Sequence, residues 1–207
     1  MVRLNSKKEI HLCETLQKES YYSQSFSFRS ISSIEKWGTE DSGLILSDYN
    51  KGILNSKLNL STLSFTPLRY LVADTKYRTL NLEYLKLAKK TFWRCTDSEY
   101  ESGYASNFDY TIWTNAKKPI IVLNKSQEIL FVVDYIPIED DMVVDTCGAG
   151  DTFTAAFASY LFDSKQISQL TIKEAVLFSL SCCQEVIQVD KTSITSKKIH
   201  NFKEKFI

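Results

Sequence analysis

Between Val143 and Phe153 the chain reads Val143-Val144-Asp145-Thr146-Cys147-Gly148-Ala149-Gly150-Asp151-Thr152-Phe153, and its pattern predicts an apolar helix from Thr154 to Leu161. Two glycines separated by one alanine let the backbone turn sharply and leave its N–H groups uncovered. A helix beginning near Gly150 adds the positive end of its dipole, so Gly148, Ala149 and Gly150 form a candidate anion hole. The acid at the helix start needs its own explanation. Asp151 repels a phosphate unless its task is to take a proton from an attacking hydroxyl, which makes it a candidate general base. The plainer alternative, in which Asp151 caps the helix and the glycines make an ordinary turn, carries about equal weight on these residues alone. Cys147 sits beside the turn, where a helix N-terminus raises thiol reactivity, but no histidine motif accompanies it and a structural role is the better reading.

The elements that must carry this turn follow a repeating design. Leu44-Ile45-Leu46-Ser47 is a short apolar run ending at Asp48, and Tyr70-Leu71-Val72-Ala73 ends likewise at Asp74. Phe92-Trp93 repeats it weakly and Pro119-Ile120-Ile121-Val122-Leu123 repeats it again. Such runs suit buried parallel strands whose carboxyl ends open on loops. Between them, Asn81 to Lys90 places Leu82, Leu85 and Leu87-Ala88 on one side of a predicted helix, and Asp97 to Gly103 begins with a good cap. Strand alternating with helix implies right-handed βαβ units and a mostly parallel sheet, with ligands at the carboxyl ends of its strands, where Asp48 and Asp74 fall. From Val2 to Glu14 two apolar-alternating pieces flank Asn5-Ser6-Lys7-Lys8, which predicts a hairpin. A Ser-, Tyr- and Phe-rich connection follows from Lys18 to Ser33, leading to a short helix near Ile34.

With the order Asp145-Thr146-Cys147-Gly148-Ala149-Gly150-Asp151-Thr152-Phe153, the chain resembles the carboxyl-terminal signature of the PfkB, or ribokinase-like, family of carbohydrate kinases. Leu46-Ser47-Asp48-Tyr49-Asn50-Lys51-Gly52-Ile53-Leu54 is similar to the Ser-Asp-Tyr-x-Lys-Gly element of its heptose-phosphate kinase branch, the kinase half of the bifunctional heptose kinase and adenylyltransferase. Val72-Ala73-Asp74-Thr75-Lys76 resembles that branch's Asp-Pro-Lys strand end, and Thr96-Asp97-Ser98-Glu99 its Asn-x-x-Glu element. The resemblance implies a single three-layer α/β/α domain of ribokinase-like type over 1–207, with 1–42 a divergent hairpin and connection and 43–207 the kinase core. It further implies ATP- and Mg2+-dependent phosphorylation of a sugar or sugar phosphate. By this resemblance Asp151 is the base, and Gly148, Ala149 and Gly150 neutralise the transferred phosphoryl group. Asp48, Lys51, Asp74 and Lys76 lie on the substrate or phosphate side, Thr96, Glu99, Asp145 and Thr146 on the nucleotide side, and Glu99 acts on magnesium through water. Two alternatives stand beside it: Glu99 closes a capping box with Thr96, and Asp48 with Lys51 forms a solvated ion pair.

The sequence departs from the family at Thr96, which stands for Asn, and at the Thr-x-Gly-x-x-Gly nucleotide turn. That turn is expected after Leu123, where Lys125 and Glu128 hold the glycine positions. The small-residue run beside adenine reads Ser179-Leu180-Ser181-Cys182-Cys183. No glycine precedes Gly38, so the family's paired-glycine sugar element has no counterpart, and a homodimer or a second chain is expected to complete the site. The reading from a different class is a catalytically silent, truncated kinase-like subunit that works through partner binding.

Composition bounds these readings. The chain has 207 residues, 43% hydrophobic and 24% charged, long enough for a core that buries roughly 70% of the unfolded surface. Twenty-five basic residues balance 25 acidic ones, so no global field favours nucleic acid and phosphate chemistry must be local. Five cysteines without metal-ligand spacing read as reduced, and His11 and His200 are too few for a zinc site. The basic end Lys197–Phe206 and the Tyr21–Phe28 cluster read as packing elements rather than nucleic-acid or membrane patches. No signal-peptide or membrane-spanning run is present, so the expected address is cytoplasmic.

Overall fold

The computed structural model describes residues 2–4, 10–12, 42–48, 67–76 and 80–189. Lys51, Cys13, the aromatic cluster at 21–28, the expected helix near Ile34 and the basic end at 197–206 lie outside the described residues. The chain divides into two compact units, Met1–Phe92 and Trp93–Ile207. The architecture is α/β.

In the first unit, β1 (Val2–Leu4) and β2 (Ile10–Leu12) pair antiparallel with Val2 opposite Leu12, the hairpin that the alternating pieces predict. β3 (Gly43–Asp48) takes β1 antiparallel on one side and β4 (Tyr70–Thr75) parallel on the other. Every residue of β4 is buried, as expected of an inner strand that reads Tyr-Leu-Val-Ala. The predicted helix 81–90 is only a 3-10 segment, Leu82–Leu87, capped by Asn81 Oδ1 accepting from the Glu83 N–H at 3.1 Å. It stops because Ala88 turns extended to bridge Leu68, with Leu68 N–H donating to Leu87 O and Lys89 N–H to Leu68 O, both at 2.8 Å.

β5 (Thr91–Cys95) runs from the first unit into the second, which then contains α1 (Ser102–Ala105), β6 (Tyr110–Asn115), β7 (Lys118–Asn124), β8 (Ile129–Val133), α2 (Ala149–Asp163) and α3 (Gln169–Val186). β7, the Pro119–Leu123 run, departs from the parallel reading of such runs: it is antiparallel to both β6 and β8. Only short turns join these three strands, and a parallel connection would need a crossover of a dozen residues or more. The helix expected from Asp97 also differs. Residues 97–99 form a turn, and the helix is the single turn of α1, capped by Glu101, whose carboxylate accepts from Gly103 and Tyr104 N–H at 2.8 and 3.2 Å.

α2 begins at Ala149, beside the expected start near Gly150, and buries Phe153, Phe157 and Leu161 at helical spacing. α3 packs against it, Phe178 meeting Tyr160 at 5.6 Å, and buries Ile172, Ala175 and Val176. Ser168 caps α3 by accepting from Thr171 N–H at 3.1 Å. Under the helices' partner strands, Trp93 is fully buried between Phe108, stacked at 5.7 Å, and Tyr104, edge-on at 4.9 Å. No described helix is long and apolar enough to cross a membrane.

Candidate functional site

The glycine turn is built as its sequence demands. Gly148 is the N-cap of α2 with φ 78°, a left-handed conformation that a side chain resists. Asp145 Oδ1 accepts from Cys147 N–H at 2.8 Å, and Ala149 N–H donates to Thr146 O at 3.3 Å, so these two donors are consumed inside the turn. The Gly148 and Gly150 N–H groups make no backbone hydrogen bond among the described residues, which leaves two of the three expected donors of the anion hole open. Asp151 is exposed on the first turn of α2. Val144 and Asp145 N–H both donate to Ile187 O, at 2.8 and 3.2 Å, and this ties the approach to the turn onto the end of α3.

Beside the turn lies a cavity of about 390 Å³ within the second unit. Ala149 and Gly150 form one wall with Thr146 and Phe153, and α3 contributes Leu180, Cys183 and Gln184. Ile120, Tyr135, Ile138 and Val143 add apolar groups to the lining, and Arg94 and Thr96 add polar ones. Cys183 Sγ donates to Ala149 O at 3.1 Å, and burial pushes its thiol up to about 12, against a smaller opposing pull from Arg94. It is a packing thiol, whereas Cys147 is exposed.

Glu99 realises the capping alternative. Its Oε2 accepts from Thr96 N–H at 2.8 Å and from Thr96 Oγ1 at 2.9 Å, and the carboxylate is buried. Asp97 instead gathers three donors from the β6–β7 hairpin: Trp113 Nε1 at 2.7 Å, Lys118 Nζ at 3.1 Å, and Asn115 Nδ2. The hydrogen bond from Lys118 holds the Asp97 carboxyl below its ordinary value, aided by Trp113.

The β6–β7 hairpin also borders the cavity. The Asn124–Glu128 turn, where the nucleotide loop was expected, does not border the cavity, while Thr114, Asn115, Ala116, Lys117 and Lys118 do. Thr114-Asn115-Ala116-Lys117-Lys118-Pro119 has the Thr-x-Gly-x-x-Gly spacing with Ala116 and Pro119 at the glycine positions. Ala116 has φ 24°, so the backbone keeps a glycine-like conformation without the glycine. Tyr135 Oη donates to Ala116 O and pins the turn from across the cavity, and Lys117 pairs with Asp140 at the rim. The readable signal is the short stretch with Asn115, Lys117 and Lys118 between two β-rich runs, which carries no glycine. Ala116→Gly relieves part of a strain of roughly 1–2 kcal/mol and is expected to raise the melting temperature by about 2–4 °C, with a fall in melting temperature refuting the strain.

The remaining expected residues belong to the first unit. Asp74 is buried at the end of β4, with Lys76 Nζ 4.0 Å from its Oδ1. Asp48 ends β3 alongside Thr75. The second unit thus brings together Thr96, Thr146, Ala149 and Gly150 on one cavity, with Glu99 braced on Thr96 and Asp145 and Asp151 flanking the turn.

Residues 109–199 match the pfkB family carbohydrate kinase family, a stretch that begins just before β6 and includes the hairpin, the glycine turn and both long helices. No curated protein sequence matches the chain. Among solved structures it is similar to ribokinase from Thermotoga maritima, with a TM-score of 0.54 and 16% identity over 80% of this chain and 58% of that one. Fructokinase from Vibrio cholerae O395, in a fructose-, ADP- and calcium-bound form, aligns with a TM-score of 0.53 and 13% identity over 77% of this chain and 60% of the other. Aminoimidazole riboside kinase from Salmonella enterica, complexed with aminoimidazole riboside and an ATP analog, gives a TM-score of 0.51 and 15% identity over 65% and 52%. At such identities the likeness shows the fold, which is ribokinase-like. The chain spans 52–60% of the length of these structures.

Proposed function

We propose that the chain transfers the terminal phosphoryl group of ATP to a hydroxyl of a sugar or sugar phosphate. One observation carries the reading: an exposed carboxylate, Asp151, stands on the same helical turn as two open N–H donors, at the border of an apolar cavity. In this reading the cavity takes the nucleotide base between Ile120, Tyr135, Val143 and Leu180. The Gly148 and Gly150 N–H groups face the transferred phosphoryl, where backbone donors fixed in advance stabilise developing charge. Asp151 takes the hydroxyl proton as the sugar oxygen bonds to phosphorus and the bond to the ADP oxygen breaks.

Among the described residues no three His, Cys, Asp or Glu side chains gather to hold a metal ion. Mg2+ would arrive with ATP, since this cation takes one or two protein carboxylates and leaves the rest of its shell to phosphate and water. Glu99, braced on the cavity residue Thr96, is the carboxylate that would serve it, through water, and the ion would neutralise phosphate charge. Ser47-Asp48 with Lys51, and Asp74 with Lys76, make a heptose phosphate the first acceptor to test, and a cytoplasmic homodimer or second chain the assembly in which to test it. The experiment is ATP titration followed by a coupled assay across sugars and sugar phosphates. ATP binding with acceptor-dependent ADP release is expected. Binding without turnover on any acceptor would favour the silent-subunit reading, and absence of both would end the kinase reading.

A further inference from the structure

The turn between β6 and β7 is two residues long, Ala116 and Lys117, and its stem is the pair Asn115 and Lys118. A hairpin turn of this length favours glycine or asparagine at its first position, because the backbone there takes positive φ. Ala116 takes φ 24° without being either. Its Cβ opposes that conformation, so groups outside the turn must impose it. Each of the four residues carries such a tie. Asp97, exposed just after β5, accepts from both stem residues, from Asn115 Nδ2 and from Lys118 Nζ at 3.1 Å, and also from Trp113 Nε1 at 2.7 Å. Tyr135 Oη donates to the carbonyl of Ala116, the strained residue itself, and Asp140 pairs with Lys117. Thr114 Oγ1 donates to Cys95 O at 3.0 Å and fastens β6 to the strand that leads to Asp97. The function proposed above uses the ring of Tyr135 and gives neither its hydroxyl nor Asp97 a task.

We infer that Asp97 and the Tyr135 hydroxyl are positioning groups, a clamp that holds the Asn115–Lys118 turn in the shape of a nucleotide-binding wall and does from outside what glycine at position 116 would do from within. The inference rests on the reading above that the cavity takes a nucleotide, and all four turn residues border that cavity. One carboxylate has two oxygens and several lone pairs, so Asp97 can tie both sides of the stem at once. The link to binding is a population. A ligand that needs the held turn loses affinity in proportion to the fraction of molecules in which the turn has let go.

Hydrogen exchange over residues 114–118 and calorimetric titration with ATP test it in the wild type, Asp97→Asn, Tyr135→Phe, and Tyr135→Phe combined with Ala116→Gly. Tyr135→Phe keeps the ring at the cavity and removes only the hydroxyl. Asp97→Asn leaves one acceptor oxygen and turns an amide toward the remaining donors. Each single variant is expected to speed exchange in 114–118, with the amides of α2 and α3 unchanged, and to weaken ATP by about 3- to 10-fold. Glycine adopts positive φ at no steric cost, so the double variant should regain most of the lost affinity, a rescue that a merely structural role would not produce. Should Asp97→Asn fail to fold, the two Tyr135 variants carry the test. Unchanged exchange at the turn in the folded variants overturns the clamp. Weaker ATP binding without rescue in the double variant overturns it too, since the hydroxyl would then contact the nucleotide itself. Faster exchange with unchanged ATP affinity overturns the positioning role and leaves the nucleotide reading standing. A wild type that binds no ATP, with faster exchange in the variants, upholds the clamp and overturns the nucleotide reading.

Discussion

Asp151→Asn is expected to lower phosphoryl transfer by about 10²- to 10⁴-fold while ATP affinity and folding change little. The amide keeps the shape and the hydrogen-bonding reach of the carboxylate but cannot take a proton from the acceptor hydroxyl. The structural cost is small because the side chain is exposed on the first turn of α2. There a carboxylate gains only about 0.3–1 kcal/mol from the helix dipole, against a total stability of about 5–15 kcal/mol. A role in capping alone makes the opposite forecast: a slightly lower melting temperature and unchanged turnover. Single-turnover rates for the wild type and the Asn variant, measured at saturating ATP with the acceptor that supports turnover, separate the two. Retention of rate within a few-fold would remove Asp151 from the chemistry.

What the sequence made legible was what depends on local rules. The glycine turn and the start of α2 needed only Gly148 at positive φ and an apolar helix after it, and both are present. The Val2–Leu12 hairpin and the inner strand β4 followed from alternation and from an unbroken apolar run. Pairing direction was not legible, because Pro119–Leu123 reads the same whether its neighbours run parallel or antiparallel. The decision lies in the lengths of the turns on either side. The expected helix at Asp97 failed for a tertiary reason: Trp113, Asn115 and Lys118, from a hairpin some 16–21 residues away, claim the carboxylate that would otherwise cap it. Arg94 was invisible in the same way. Nothing in Phe92-Trp93-Arg94-Cys95 announces that its guanidinium reaches across to Gly150, and only the packing of β5 against the start of α2 reveals the pair.

The largest stability effect is expected at the residue beside it. Trp93 is fully buried, and its ring is held on two sides by Phe108 and Tyr104, which sit on α1 and the turn that follows it. Removing the indole forfeits its transfer free energy and leaves a cavity that rings approached at 5.7 and 4.9 Å cannot fill without moving. Trp93→Ala should cost about 3–5 kcal/mol, roughly a fifth or more of the stability of a typical domain, and should appear as a lower urea midpoint with little change in slope. Trp93→Phe is a sharper probe. The Trp93 Nε1 donor is buried with no acceptor among the described residues, so phenylalanine removes an unmet donor while it opens only part of the cavity. Its cost should therefore stay below about 1.5 kcal/mol, as for swaps that keep most of the buried volume. A cost for Trp93→Phe equal to that of Trp93→Ala would mean that the indole N–H is satisfied after all and that the ring is held by a hydrogen bond rather than by packing.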